Sequence, residues 1–108
     1  REGREWSLLW AEFWLHVVRH PDLAPKLAAR QRAGREAIAR VIEIQCAQIG
    51  MTLPLPALDL ASVMMAVDDG LSLQEQLDPD AVPDDLRARA TVLLMQGAAV
   101  AQPPPGEA

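Results

Sequence analysis

Asp68 and Asp69 stand side by side in a chain of 108 residues that holds two histidines and one cysteine. Acid–base, nucleophilic or metal chemistry would have to be built from these few groups. Neighbouring residues on a helix point about 100° apart, so the two carboxylates do not converge on one substrate and general acid/base catalysis is not expected. Asp69 reads as solvated. Asp68 lies at the margin of an apolar helix face, where it could hydrogen-bond a ligand or cap a neighbouring element. No His/Cys/Asp/Glu set has metal-ligand spacing, no glycine-rich loop could cradle a phosphate, and no Ser/His/Asp arrangement is present. Cys46 reads as a small buried hydrophobe; alone, it excludes an internal disulfide and fits a reducing cytoplasm. The chain is therefore expected to be no enzyme and to need no cofactor and no metal.

The strongest binding signal is aromatic. All four aromatic residues, Trp6, Trp10, Phe13 and Trp14, fall within nine positions. Three indoles and a phenyl ring give apolar walls with a few polar tips, which is how small-ligand cavities are built. They would equally serve to fill a core, and both readings stand. Val17 continues the same side. His16 lies four residues after Glu12, close enough for a charge-assisted pair, or for orienting a polar ligand group from a cavity rim. Met64 and Met65 add a deformable wall of the kind found at permissive binding surfaces, or plain core.

Helices must position these side chains. Trp6, Leu9, Trp10, Phe13, Trp14, Val17 and Val18 fill one broad side of a helix from about Arg4 to Arg19, with Leu8 and Leu15 widening it, so burial on most sides is expected. His20-Pro21-Asp22 breaks it, and Asp22 can cap the next helix. From Leu23 to Ile49 the pattern Leu23, Leu27, Ile38, Val41, Ile42, Gln45, Ile49 keeps one face inward. Arg32, Glu36, Arg40 and Glu43 line the other as a solvated surface rather than a nucleic-acid patch. Gly50 closes this helix and Leu53-Pro54-Leu55-Pro56 prevents its continuation.

A third helix opens at Pro56 or Ala57 and ends before Asp78-Pro79-Asp80. Leu60, Val63, Met64, Val67, Leu71 and Gln74 share one face, while Leu58, Met65, Leu73 and Leu77 lie off it, so two neighbours are needed. Gly70 suggests close packing with one of them. Pro83, Asp84 and Asp85 open a fourth helix reaching about Ala101. It carries Leu86, Ala90, Leu93, Leu94, Gly97 and Ala101 on one face and Ala88, Val92, Met95 and Ala99 on nearly the opposite one. Residues 1–101 thus form one all-α domain of four main helices in an antiparallel bundle, followed by a loose Pro-rich tail, 102–108.

Half the residues are hydrophobic, which excludes a disordered class, and no run of apolar residues is long enough to span a membrane. No membrane partner is expected. Residues 1–40 carry eight Lys/Arg against five Asp/Glu, and 41–108 carry two against ten, giving +3 and −8. An acidic second half is a poor surface for a phosphate backbone.

The order of features, Trp-Ala-Glu-Phe-Trp-Leu (10–15), Arg-His-Pro-Asp-Leu (19–23), a long helix with scattered arginines, Asp-Asp-Gly-Leu-Ser-Leu-Gln-Glu-Gln-Leu-Asp-Pro (68–79) and a closing helix, resembles the C-terminal regulatory domain of TetR-type (tetracycline-repressor-type) transcriptional regulators. The resemblance covers most of residues 5–100 and rests on combination and order, since each motif is degenerate. It implies a cytoplasmic homodimer joined through its last two helices in a four-helix bundle, with Val63, Val67, Gln74, Ala88, Val92, Met95 and Ala99 as interface candidates. It also implies a cavity for a small, largely hydrophobic effector among the earlier helices, with Trp6, Trp10, Phe13, Trp14, His16, Val17, Met64, Met65 and Asp68 as candidates. The helix-turn-helix that grips operator DNA in such regulators has no counterpart in these residues, and the chain opens at Arg1 without Met. DNA contact is expected only through such a missing N-terminal domain. The alternative is a helical dimerisation scaffold with a filled core and no ligand.

Overall fold

The computed structural model describes residues 2–101, and within them the chain is all helical, without strands. Helices α1 (Glu2–Arg19), α2 (Ala24–Ile49) and α3 (Ala57–Leu77) are followed by a 3₁₀ turn (Pro79–Ala81) and α4 (Leu86–Val100). The tail at 102–108 lies outside the described residues.

The connections follow from local chemistry. His20 donates its backbone N–H to the Val17 carbonyl at 3.0 Å, and Leu23 to that of His20 at 2.9 Å, turning the chain through Pro21 and Asp22. Asp22 does not cap α2. Leu23 occupies that position without a side-chain bond, and Pro25 in the first turn has no N–H to be satisfied. At the other end Gly50 takes the left-handed conformation (φ 68°), and Met51 N–H bonds to Cys46 O at 2.9 Å while Gly50 N–H bonds to Ala47 O at 3.3 Å. This pair of bonds satisfies carbonyls that the helix end leaves open. Asp78 Oδ1 accepts from the Asp80 N–H at 3.2 Å to hold the 3₁₀ turn. Pro83, Asp84 and Asp85 form a turn before α4 rather than its first turn, with Leu86 N–H bonded to Pro83 O.

The core is a seam between two helices. Ala39, Ile42 and Cys46 of α2 meet Leu60 and Ala61 of α3, with Ile38, Met51, Leu53, Leu55, Met64 and Met95 packed around them. Ala61 is completely buried. Alanines at 39 and 61 bring the helices together without large side chains between them. Cys46 is buried as expected for a small hydrophobe. The inward line of α2 runs through Ala39, Ile42 and Cys46, whereas Val41 and Ile49 turn outward. The expected face was displaced because large aliphatics dominate a periodicity pattern while the positions in contact are mostly small.

Helix α1 rests against α3 and α2, and α4 against α3, giving a slab of 46 × 37 × 19 Å. Its radius of gyration, 16.3 Å, exceeds the roughly 13 Å of a compact domain of this length. Burial of α1 on most sides is not found: Val17 is its buried residue among those described, while Trp6 is 70% and Val18 63% exposed. The helix lies on the surface of a one-sided layer, so half of its broad apolar side faces outward. A Cβ at Gly70 would meet nothing within 4 Å, so no close packing requires that glycine.

Ile42→Ala should lower the unfolding free energy by about 2–4 kcal/mol, measured by urea denaturation, because it empties the centre of the seam. Gly34→Ala, where a Cβ also meets nothing within 4 Å in mid-helix, should raise it by about 0.5–1 kcal/mol.

Candidate functional site

An open groove of about 870 Å³ runs between α1 and α3. Trp6, Trp10 and Trp14 recur every four residues along α1, and Ser7, Ala11 and Leu15 run beside them, so one wall is a double row from a single helix. The facing wall is α3, which contributes Ala66, Asp68, Asp69, Gly70, Ser72 and Leu73. The indole of Trp14 meets that of Trp10 edge to face, with centroids 5.9 Å apart at 79°, a favourable geometry for two π systems. Phe13 leans on Trp10 at 6.0 Å and 39°, and braces the row from outside the groove. Small residues at Ala11, Ala66 and Gly70 leave the space between the walls unfilled.

The other candidates lie elsewhere. Val17 is buried and does not line the groove. The His16 ring stacks on His20 with centroids 4.1 Å apart, and His20 Nδ1 lies 2.7 Å from the His16 carbonyl oxygen. Among the described residues this contact takes the place of the pair with Glu12. Met64 lines a small crevice of about 50 Å³ between α3 and α4, together with Val67, Asp68, Leu71, Arg87, Thr91 and Leu94. Met65 is half-buried outside both. Of the interface candidates, Val63, Gln74, Ala88, Val92 and Ala99 are exposed, Val67 is half-buried, and Met95 is half-buried against the core seam.

Two carboxylates supply the groove's charge, and they differ. Asp68 Oδ1 accepts a hydrogen bond from Arg87 Nε at 3.1 Å. Arg87 Nη2 also donates to Ser72 Oγ at 3.0 Å and Glu75 Oε1 at 3.2 Å. One guanidinium from α4 thus spans three side chains along a single stripe of α3, using its planar fork of donors. Asp69 is held above its ordinary value of 3.8, first by burial and second by the neighbouring Asp68 charge. Asp69 is half-buried, not solvated as expected from sequence. Reasoning from sequence passed over Arg87, Ser72 and Glu75. The spacing 68, 72, 75 is one polar line on an otherwise apolar helix, and Arg87 is one of only two cations after residue 40; these are the signals that could have found the set. The other cation, Arg89, faces Asp85 at 3.7 Å.

A carboxyl whose folded-state pKa is raised favours the folded protein while protonated, and that contribution is lost as pH rises through the folded value. Ionised Asp69 therefore costs stability at neutral pH. Asp69→Asn should raise the melting temperature at pH 7, and the gain should shrink as pH falls toward 3.8; thermal unfolding followed by circular dichroism across that range checks both the sign and the pH window.

None of these groups forms a cluster of three or more metal-capable side chains among the described residues. No helix among them is long and apolar enough to cross a membrane. No curated protein and no solved structure matches the chain. The family model for the C-terminal domain of BetI-type transcriptional repressors matches residues 1–98. With almost its whole length covered by that match, the chain belongs to the BetI-type repressor C-terminal family, a TetR-type regulatory domain and not an enzyme.

Proposed function

We propose that the chain senses a small, largely hydrophobic effector in the α1–α3 groove and dimerises through the outer faces of α3 and α4, so that effector binding sets the DNA affinity of an N-terminal helix-turn-helix. The groove carries this reading. A row of three tryptophans facing small residues and two carboxylates leaves room for an apolar molecule and offers polar atoms to orient it. A scaffold with no ligand would have little use for so large an opening beside its aromatic residues.

Affinity should be modest while the groove is open. Covering about 300 Å² of ligand apolar surface yields ~7 kcal/mol at about 25 cal/mol per Å², from which the cost of association must be subtracted. Micromolar binding requires ~8 kcal/mol net. The effector is thus expected to bind more weakly than micromolar unless a second wall closes over it.

Dimerisation is supported by apolar side chains that this chain leaves uncovered on the last two helices. Val63 is 41% exposed on α3, and Val92 53% and Leu93 67% on α4. Four such helices, two from each of two chains, would cover these faces in a contact of at least about 1,000 Å². Effector binding would favour one dimer geometry and change the spacing of the DNA-reading heads, a population shift between two arrangements. Cytoplasmic location belongs to the same reading.

Titration with a panel of hydrophobic small molecules, followed by tryptophan emission, should give a saturable change with one compound class, abolished by Trp14→Ala with helical content intact. A flat response from a folded dimer across a broad panel would favour the scaffold. Val92→Glu should yield monomer in sedimentation velocity, because it would bury an unpaired charge at a cost of about 3–5 kcal/mol; a soluble dimer would remove that face from the interface.

A further inference from the structure

We propose that Arg87 is a positioning residue that couples occupation of the groove to the placement of α4. The proposal rests on the effector-sensing reading of that groove and adds the route by which occupation reaches the helix bearing the interface.

Asp68 is shared between two openings. Its side chain lines the α1–α3 groove and also the crevice between α3 and α4. Within the crevice Arg87 holds it at 3.1 Å, and the same guanidinium reaches Ser72, a second groove residue, at 3.0 Å. Two of the three acceptors of Arg87 therefore belong to the wall a ligand would touch. The third, Glu75, at 3.2 Å, does not line the groove.

The attachment of α4 makes this link consequential. Helix α4 packs on α3, and Ala98 is its one buried residue among those described. Beside the packing of Met95 and Ala98, the fork adds a directional link between the first turn of α4 and α3. A ligand that hydrogen-bonds Asp68 or Ser72 competes for the acceptors Arg87 uses. The guanidinium then shifts toward Glu75, and the first turn of α4 moves with it. The element with two arrangements is thus the Arg87 fork, biased by whatever occupies the groove.

Hydrogen exchange of the 108-residue chain with and without N-phenylnaphthylamine, a neutral apolar dye whose binding is followed by its own fluorescence, separates coupling from mere support. In the wild type, dye binding should change amide protection in residues 86–100. In Arg87→Gln that change should vanish although the dye still binds. A purely structural Arg87 would instead alter α4 protection equally with and without dye, and a response retained in Arg87→Gln overturns the proposal. Should Arg87→Gln fail to fold, Ser72→Ala removes one groove-side arm and must weaken the response; an undiminished response there also overturns it. Wild-type protein that binds dye with α4 unaffected overturns the coupling alone, while wild type that binds no dye overturns the groove reading and the coupling with it.

Discussion

The contact between α2 and α3 is the constraint on which the rest of this structure depends. Ala39, Ile42 and Cys46 against Leu60 and Ala61 form its buried centre, and these are mostly small side chains. Small residues allow two long helices to approach closely, but they bury little area each. At about 25 cal/mol per Å² the seam is a modest source of stability for a chain of this length. The remaining helices attach to it at its margins, α1 across α3 and α2, and α4 on α3. A flat slab with much of its apolar surface turned outward is the consequence.

That shape links packing to function. Half the residues are hydrophobic, yet the buried set among the described residues contains eight. Much of the apolar surface that remains exposed lies on α1, α3 and α4, and Val41, Ile44 and Ile49 add to it on α2. Two uses would absorb it. One is a groove in which the α1 indoles face small residues of α3. The other is a surface on α3 and α4 for a second copy. Polar groups sit where these two uses meet: Asp68 and Ser72 face the groove and hold the Arg87 fork, and Asp69 stays half-buried without sharing that fork.

Much of this was legible in the residues. Four helices and their breaks at His20-Pro21, Gly50 through Pro56 and Asp78-Pro79 follow from proline and glycine chemistry, which is local. The aromatic row was visible because four-residue spacing places Trp6, Trp10 and Trp14 on one line. Burial was less legible. Periodicity tells which residues share a face but not whether a neighbour covers it, so α1 was expected inside and stands largely exposed. On α2 the same limit favoured Val41 and Ile49 over the smaller Ala39 and Cys46 that form the contact. Arg87 escaped notice because its partners lie 12 to 19 positions away, and no local pattern announces a contact made only when α4 folds back on α3.

If the apolar surface left open by this thin fold exists to be covered by a second copy, the mass of the chain in solution tests that idea most directly. Light scattering at tens of micromolar should then find a particle of two 11.8 kDa chains. A monodisperse, folded monomer of 11.8 kDa under those conditions would contradict it, and would leave the exposed faces of α3 and α4 without the partner proposed for them.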